Sequence, residues 1–229
     1  MLNGKTFLAI IPARGGSKRL PHKNILELAG KPLIFWSIDS GLKSKYIDKV
    51  VVSSDDNEIL SISKKYGAEI IKRPDYLAND TAKTFDAIKH TIENIQKYDY
   101  IVLLQPTSPL RNESHIDEAI ELLELKKTDA IVSVCEMEHS PLWSNTLPQD
   151  DNMNSFLKDE VLNKRSQDLE KYYRINGAIY ICKTEKLLSE ESFFLKDNIF
   201  AYKMDRLDSI DIDEEIDFII AKSIKERNI

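Results

Sequence analysis

The sequence predicts an α/β fold, a three-layer sandwich in which helices cover both faces of a mixed, mainly parallel sheet. Short apolar runs alternate along the chain with segments of helical periodicity, which is the pattern of a mainly parallel sheet. The runs are apolar on both parities, as expected for strands that are buried on both faces. The 229 residues suit one domain with a substantial hydrophobic core.

The predicted strands are short and most are rich in Val and Ile. In chain order they cover residues 7–11, 50–52, 69–72, 101–104, 131–134 and 178–181. Sheets of this kind bind their ligands beyond the carboxyl ends of their strands. The loop after residue 11 and the segment after residue 104 are therefore candidate parts of a binding site.

Helices are predicted from the spacing of apolar residues. Pro32 suits the first turn of a helix that carries Leu33, Ile34 and Ile38. Further helices are expected at 56–66 and 83–97. Two more predicted helices have apolar faces made of Ile116, Ala119, Ile120 and Leu123, and of Ile216, Ile219, Ile220 and Ile224. Residues 137–175 are polar and aperiodic, and we interpret them as an excursion inserted in a single domain that covers 1–229.

Charge and apolar content argue against two classes of partner. The formal net charge of −6 disfavours a nucleic-acid-binding surface. No apolar run approaches the roughly 18–20 residues of a membrane span, and no signal-peptide apolar region precedes the first strand. We expect a cytoplasmic protein, in which Cys135 and Cys182 are buried thiols because each lies in an apolar run.

The loop after the first predicted strand, PARGGSKRLPHKN at 12–24, is rich in cations and has no acidic residue. Gly15 and Gly16 allow backbone N–H groups to turn toward an anion. Arg14 offers a bidentate fork, and Lys18 and Lys23 act as point charges. The loop matches neither GxxxxGK[ST] nor GxGxxG. It indicates a polyphosphate site, with a solvated surface loop as the alternative.

The segment DSIDIDEEID at 208–217 is the acidic counterpart of this loop. Asp211 and Asp213 are two residues apart, so in an extended chain their carboxylates point the same way. Hard oxygen ligands in this arrangement suit Mg²⁺, which also coordinates substrate phosphates. A solvated acidic run is the alternative, but a metal–triphosphate complex needs both signs of charge close together.

Seven motifs, taken in order, closely resemble those of the CMP-sialic acid synthetases, or N-acylneuraminate cytidylyltransferases. The motifs are PARGGSKRLPHKN, RPDYLANDTA (73–82), LLQPTSPLR (103–111), KRSQD (164–168), INGAIYI (175–181), SFF (192–194) and DSIDIDEEID. The resemblance covers residues 7 to about 220. It implies a Rossmann-like nucleotidyltransferase sandwich that forms a homodimer through the 137–175 segment.

The resemblance also implies roles for individual residues. The nucleotide CTP would be bound by Arg14, Gly15, Gly16, Ser17, Lys18, Lys23, Asn24 and Arg73. The acceptor sugar would be bound by Gln105, Arg165, Asn176, Tyr180, Phe193 and Phe194. Asn24 would read the cytosine edge, Arg165 would bind the sugar carboxylate, and the three aromatic residues would form a wall for an N-acyl group.

Several of these residues have structural alternatives. Asn24 could be a turn residue, Arg73 an exposed residue beside a helix, and the three aromatic residues core packing. Asp80 and Thr81 are expected to cap a helix as well as to line the pocket. Arg111 could face the anionic site or be solvated at a helix start.

Two positions depart from the family pattern. Trp143 stands where several bacterial members have a lysine, and Glu170 stands where the family often has a proline. The first departure leaves the exact acceptor sugar open.

The reaction that the resemblance implies joins CTP and a sialic acid-type, nine-carbon 2-keto sugar to give the CMP-sugar and pyrophosphate. Mg²⁺ on Asp211 and Asp213 would activate the sugar hydroxyl, and Arg14 and Lys18 would stabilise the pyrophosphate. The alternatives are the same reaction on legionaminic or another bacterial nonulosonic acid, a related enzyme for 3-deoxy-manno-octulosonate, and a non-catalytic nucleotide-sensing module.

Overall fold

The structure, a computed structural model, describes residues 1–79 and 81–227 and is organised around one seven-stranded sheet. The strands of that sheet are β1 (Phe7–Pro12), β4 (Lys49–Ser54), β5 (Glu69–Lys72), β6 (Tyr100–Leu103), β7 (Ala130–Glu136), β8 (Tyr173–Lys183) and β9 (Ile199–Met204). A separate small hairpin pairs β2 (Glu27–Leu28) with β3 (Lys31–Pro32). No helix within the described ranges is long and apolar enough to cross a membrane.

The strand order is β5-β4-β1-β6-β8-β7-β9. All neighbouring pairs are parallel except those of β8, which runs antiparallel to both β6 and β7. The expected mixed, mainly parallel sheet is therefore confirmed. The carboxyl ends of β1, β4 and β6 meet at one edge, and this is the edge at which both candidate segments lie.

All six predicted strands are present, and most differ from the prediction only at their ends. Strand β8 is the main exception, because it begins five residues before the predicted 178–181 strand, with an exposed stretch from Tyr173 to Ile175. Strand β9 was not predicted. It lies at the edge of the sheet, where residues such as Phe200 stay exposed, so it lacks the continuous apolar run of a central strand.

Six helices cover the sheet within the described ranges: α1 (Leu33–Lys43), α2 (Asn57–Lys65), α3 (Thr84–Glu93), α4 (Glu113–Lys126), α5 (Thr184–Glu190) and α6 (Glu215–Arg227). Pro32 is the N-cap of α1 and lies just before its first turn. Helix α3 is shorter than the predicted 83–97 segment, and α5 was not predicted. Lys83 is the N-cap of α3, so Thr81 does not cap it; Asp80 lies outside the described residues.

Helix α6 corrects one prediction of the apolar pattern. Ile216, Ile219 and Ile220 are 58%, 53% and 41% exposed, so the predicted apolar face points outward. The helix packs through Ala221, which is fully buried, and Phe218, which is partly buried. An apolar helix face is expected to pack against other residues, but no part of the described chain packs over Ile216, Ile219 and Ile220.

The core lies on both faces of the sheet. Along β1, Phe7, Ala9 and Ile11 belong to one cluster, while Leu8 and Ile10 belong to the cluster on the other face. This alternation explains why the run is apolar on both parities. Cys135 and Cys182 are free and fully buried, as expected.

The chain between β7 and β8 contains only three short 3-10 turns, Pro141–Trp143, Asp159–Val161 and Ser166–Asp168. Most of its residues are exposed. Its expected role in dimer formation stays a prediction.

Candidate active site

A cleft with a volume of about 500 Å³ lies beyond the carboxyl ends of β1 and β6. Six of the predicted nucleotide-binding residues line it: Arg14, Ser17, Lys18, Lys23, Asn24 and Arg73. Gln105 and Asp213 line the same cleft. The cleft therefore lies where the strand-end rule predicts a site, and residues from both ends of the sequence line it.

Hydrogen bonds to its own backbone and to neighbouring segments hold the cationic loop in shape. The side-chain amide of Asn24, which is buried, donates to the carbonyl oxygen of Arg14 at 2.9 Å. The N–H of Gly15 donates to a carboxylate oxygen of Asp55 at 3.2 Å, and Arg14 Nη1 donates to the carbonyl oxygen of Asn79 at 3.3 Å. Asn24 thus fixes the conformation of the loop, and this role is independent of any contact with the cytosine base.

Gly15 is required by packing. A Cβ at this position would lie 2.8 Å from Asp56 Oδ2. Asp56 cannot withdraw freely, because its Oδ1 caps α2 by accepting from the N–H groups of Glu58 and Ile59. The glycine therefore lets the loop approach the start of α2.

Arg73 is only 5% exposed, so the alternative of an exposed arginine is wrong. Its Nη2 lies 3.6 Å from Asp55 Oδ1, but Nε and Nη2 have no hydrogen-bond partner among the described residues. Burial lowers the pKa of Arg73, and the Asp55 carboxylate opposes this shift. A buried guanidinium with unused donors, lining the same cleft as Arg14, is suited to bind an anion.

The two oppositely charged motifs are in direct contact. Arg19 Nη1 donates to Asp213 Oδ2 at 3.1 Å. Lys23 Nζ donates to the carbonyl oxygen of Ile212 and lies 3.5 Å from Asp213 Oδ1. Side chains of opposite charge from the two ends of the sequence therefore meet at the cleft.

Asp211 is the more buried of the two predicted metal ligands. Its Oδ1 is buried and has no hydrogen-bond partner within the described chain. Burial raises the pKa of Asp211, and Asp213 adds to this; a hydrogen bond with Thr107 and the charges of Lys23 and Arg174 oppose it. The site thus holds a carboxylate whose negative charge is incompletely compensated.

This donor set fits Mg²⁺ only in part. Residues 1–79 and 81–227 contain no group of three or more His, Cys, Asp or Glu side chains arranged to hold a metal. Mg²⁺ is commonly bound through one or two carboxylates, with substrate phosphates and water completing its shell. The unpartnered Oδ1 of Asp211 and the adjacent Asp213 match that arrangement.

Gly177 brings the side chains of Gln105 and Asp211 into one place. It has φ +76°, and a Cβ there would lie 2.7 Å from Gln105 Oε1 and 3.1 Å from Asp211 Oδ2. The two side chains therefore approach the β8 backbone at the only kind of residue that leaves room for them.

The predicted aromatic residues form a cluster beside this point. The ring centroid of Tyr180 lies 5.8 Å from the ring centroid of Phe193 and 6.1 Å from that of Phe194. Burial raises the pKa of Tyr180 to about 12, and the charge of Asp211 contributes. Phe193 is buried in the core, as the packing alternative expects, whereas Phe194 is 52% exposed; the role of the cluster as a wall for a ligand stays a prediction.

Asn176 and Arg165 do not line the cleft. Asn176 is fully buried; its Nδ2 donates to Ser209 Oγ at 2.9 Å, and its Oδ1 accepts from Ser133 Oγ at 2.6 Å. It ties β7 and β8 to the start of the acidic motif, so its position is structural. Arg165 is exposed in the turns between β7 and β8. Trp143 lies half-buried in the first of those turns and does not line the cleft either.

Two residues near the site were missed or misplaced. Asp55 follows β4 and touches both Gly15 and Arg73; the strand-end rule, applied to β4, would have found it. Arg111 is 1% exposed, so it is neither solvated nor open to the cleft, and both alternatives for it are wrong. Its partners Ser37 and Ser40 lie on α1, and no local pattern indicates this contact.

A family model described as "Cytidylyltransferase" matches residues 8–227 of the chain. The N-acylneuraminate cytidylyltransferase of Escherichia coli O18:K1:H7 (strain RS218 / NMEC) is 38% identical over 222 residues, which are 96% of this chain and 52% of that protein. The chain thus spans about half the length of this relative.

Two other relatives are matched over almost their whole length. The pseudaminic acid cytidylyltransferase of Campylobacter jejuni (serotype O:23/36, strain 81-176) is 36% identical over 96% of this chain and 97% of that protein. The CMP-N,N'-diacetyllegionaminic acid synthase of Legionella pneumophila (strain Philadelphia 1) is 34% identical over 97% of both.

Solved structures show the same fold at low sequence identity. A CMP:2-keto-3-deoxy-manno-octonic acid synthetase complexed with CTP has a TM-score of 0.74 at 16% identity, covering 98% of this chain and 100% of that chain. A 4-diphosphocytidyl-2C-methyl-D-erythritol synthase from Anaerococcus prevotii has a TM-score of 0.68, also at 16% identity, covering 99% and 98%. Both matches extend over the whole seven-stranded architecture.

Proposed function

Since this chain belongs to the cytidylyltransferase family, we propose that it transfers CMP from CTP to the anomeric hydroxyl of a sialic acid-type sugar and releases pyrophosphate. The observation that carries the proposal is one cleft lined by Arg14, Lys18 and Asp213, with Asp211 beside it. A surface built only to sense a nucleotide has no need of a poorly compensated carboxylate next to its phosphate site. A transfer reaction that uses a metal–triphosphate complex needs such a carboxylate to bind the metal.

The nucleotide would enter with its triphosphate on the cationic side of the cleft. Arg14, Lys18 and Lys23 would bind phosphate oxygens, and the unused donors of Arg73 would complete the anion site. Asn24 would contact the cytosine, because it lies in the same wall and an amide can match the donors and acceptors of that base.

The acceptor would lie next to Gln105, at the carboxyl end of β6. The Gln105 amide would bind sugar hydroxyls, and the cluster of Tyr180, Phe193 and Phe194 would contact an N-acyl group. Arg165 would bind the sugar carboxylate. Because Arg165 lies outside the cleft of its own chain, this role requires the homodimer that we propose, with the 137–175 segment reaching the partner's cleft.

In the reaction, the sugar hydroxyl oxygen forms a bond to the α-phosphorus in line with the bond that breaks. That bond joins the α-phosphorus to the bridging oxygen of pyrophosphate, which leaves with the electron pair, and the hydroxyl proton passes to solvent. Arg14 and Lys18 would stabilise the charge that builds on pyrophosphate. Asp211 and Asp213 would hold Mg²⁺, which when bound lowers the pKa of the hydroxyl and neutralises phosphate charge.

Legionaminic acid or another bacterial nonulosonic acid is the second candidate for the acceptor. The relative named for N,N'-diacetyllegionaminic acid is matched over 97% of both chains, whereas the N-acylneuraminate relative is matched over about half of its length. Trp143 also stands where several bacterial members of the family have a lysine, which leaves the exact acceptor sugar open.

Pyrophosphate release with CTP and a panel of nine-carbon keto sugars tests the proposal. We expect release that requires CTP, a divalent cation and one member of the panel, and that Arg14→Ala lowers kcat or raises the KM for CTP by orders of magnitude. CTP binding without turnover on any sugar would support the nucleotide-sensing alternative and contradict ours. The eight-carbon keto sugar 3-deoxy-manno-octulosonate is assayed beside the panel, and a preference for it would contradict the acceptor class.

A further inference from the structure

Arg111 is a buried cation that no carboxylate neutralises. It is 1% exposed, and within the described ranges none of its nitrogens lies at ion-pair distance from an acidic side chain. Its guanidinium donates to four neutral acceptors. These are the carbonyl oxygens of Ala178 at 3.2 Å and Gln105 at 3.3 Å, Ser37 Oγ at 2.6 Å, and Ser40 Oγ.

Such a group is unfavourable for stability. Burial lowers the pKa of Arg111 to about 9, which leaves it protonated at neutral pH but shows the desolvation cost. Even a buried charge that is paired can often be replaced, together with its partner, by apolar residues of similar volume without loss of stability. A contribution to folding alone is therefore a weak reason for an arginine at this position.

The position of the guanidinium suggests a different reason. The antiparallel ladder between β6 and β8 ends at the pair Leu103 and Tyr180. Continued in the same register, it would pair Gln105 with Ala178. Arg111 donates hydrogen bonds to the carbonyl oxygens of these two residues. It therefore links the two chain segments at the point where β6 turns away from β8 and their backbone hydrogen bonds end.

We propose that Arg111 is a positioning residue that acts through Gln105 and sets the geometry of the sugar subsite; the kinetic part of this inference rests on the proposed function. The Gln105 carbonyl is held by Arg111 Nη2 and by Ser37 Oγ, the latter at 3.1 Å. The Gln105 side chain then reaches the space over Gly177, beside Asp211. Small displacements of a substrate contact can cost about 10²-fold in rate.

Hydrogen exchange tests the positioning without reference to activity. The Ser108 amide reports on Gln105, because it donates to the Gln105 carbonyl at 3.3 Å. In Arg111→Met we expect its exchange to accelerate about tenfold or more, since local opening at the strand end becomes easier. The melting temperature is measured on the same variant, because the carbonyl oxygens of Ala178 and Gln105 also lose a donor there, and the local acceleration at Ser108 should exceed any general loss of protection.

Lys225→Met is the matched control. Lys225 is a half-buried cation in the same region; its Nζ donates to the Pro109 carbonyl at 3.2 Å and lies 4.0 Å from the Trp36 ring centroid. No described hydrogen bond joins it to Gln105 or Ala178. The control should leave Ser108 exchange unchanged. Unchanged exchange in Arg111→Met, or equal acceleration in both variants, would overturn the proposal.

Kinetics test whether Arg111 acts through Gln105. In the pyrophosphate assay, Arg111→Met should raise the sugar KM about tenfold and the CTP KM by less than about twofold. Arg111→Lys should restore the sugar KM only in part, because a lysine lacks the planar fork of the guanidinium. In a Gln105→Ala background, Arg111→Met should have no further effect on the sugar KM. Independent, multiplying effects, or an equal rise in both KM values, would overturn the proposal.

Ser37→Ala serves if Arg111→Met does not fold. It removes one donor to the Gln105 carbonyl and should move Ser108 exchange and sugar KM in the same direction by a smaller factor. A well-folded Ser37→Ala protein with both values unchanged would overturn the proposal. A wild-type protein that turns over no sugar contradicts the proposed function instead, and the exchange measurement then decides the positioning role by itself.

Discussion

Asp211 carries a charge that the folded protein compensates poorly, and this makes its ionisation unfavourable for folding. Burial raises its pKa, so the folded state binds the proton more tightly than the unfolded state does. The cost is absent at pH values below the unfolded pKa and fully present once the pH exceeds the folded pKa. The charge is retained at a loss of stability, as expected for a functional group.

We predict that Asp211→Asn abolishes turnover and raises the melting temperature at pH 7. The gain in melting temperature should shrink as the pH falls toward the ordinary pKa of an aspartate, about 4. Calorimetry across this range, together with the pyrophosphate assay, measures both effects. A variant with near-normal kcat would contradict the assignment of Asp211 to the site.

Asp213→Asn is the matched control for stability. Its side chain is 57% exposed, pairs with Arg19, which is itself 64% exposed, and lies 3.5 Å from the less exposed Lys23 Nζ. Exposed ion pairs contribute about 0–1 kcal/mol. We therefore expect little change in melting temperature at any pH, but a large loss of turnover.

Arg73 yields a prediction about nucleotide binding. Arg73→Met removes a buried guanidinium with unused donors, so CTP should bind more weakly and raise the melting temperature less than it does in the wild type. Lys72→Met is the neighbouring control, because Lys72 is exposed and does not line the cleft. Equal CTP-induced shifts in both variants would show that Arg73 does not bind the nucleotide.

Strand β8 carries the backbone irregularity on which the site depends. Its register against β7 shifts between Val132 and Val134, opposite the stretch that contains Gly177. Gly177 is in the left-handed region, and the side chains of Gln105 and Asp211 pack against its Cα. A central strand thus gives up regular pairing at the position where Gln105 and Asp211 converge.

Comparing Gly177→Ala with Gly30→Ala separates the cost of a left-handed backbone from the cost of an added Cβ that meets neighbouring side chains. Both glycines have nearly equal positive φ, +76° and +75°, but a Cβ at Gly30 meets nothing within 4 Å. We expect each alanine to cost about 1–2 kcal/mol for the left-handed backbone. Only Gly177→Ala should cost more than this and also reduce kcat/KM, by roughly tenfold or more.

Denaturant titration and the pyrophosphate assay measure the two effects. If Gly177→Ala kept wild-type kcat/KM, the close approach of Gln105 and Asp211 at this glycine would not matter for the reaction.

Secondary structure was predictable where local pattern and burial agree. The central strands β1, β4 and β6 are buried on both faces, so their apolar runs identified them. The edge strand β9 is half exposed and lacks that signal. On α6 the pattern identified the helix but not its orientation, because packing against Leu28, Leu33 and Ile212 selected the face with Phe218 and Ala221.

The site was predictable to the extent that its residues lie at strand ends. Arg14, Lys18 and Gln105 follow predicted strands, and Asp213 was identified by its charge pattern. Arg111 and Asn176 could not be placed in this way, because their burial depends on which distant hydroxyl groups the fold brings to them. Periodicity says nothing about such contacts between segments far apart in sequence.

The molecule as a whole is predicted to be a homodimer. Ile175 is 49% exposed at the start of β8, and Leu162 is 55% exposed in the turns before it. We expect light scattering to give a mass of twice the 26.3 kDa of one chain. Ile175→Asp should shift the protein toward monomer and lower turnover, because Arg165 could then no longer reach the partner's cleft.

Leu125→Asp is the matched control, since Leu125 is 78% exposed on α4 and outside the proposed interface. It should remain dimeric and active. A wild-type protein that is monomeric at micromolar concentration and fully active would contradict both the dimer and the role of Arg165.

The contact between Lys23 and Asp213 has a consequence for biosynthesis. Nearly the entire polypeptide must be translated before Asp213 can reach Lys23 in the loop after β1. Strand β1 pairs with β4 and β6, so all three strands around the cationic loop are synthesised well before Asp213. A premature stop before Asp211 would remove both carboxylates of the proposed metal site and also the packing of Ile212 and Ala221 against Leu28 and Leu33.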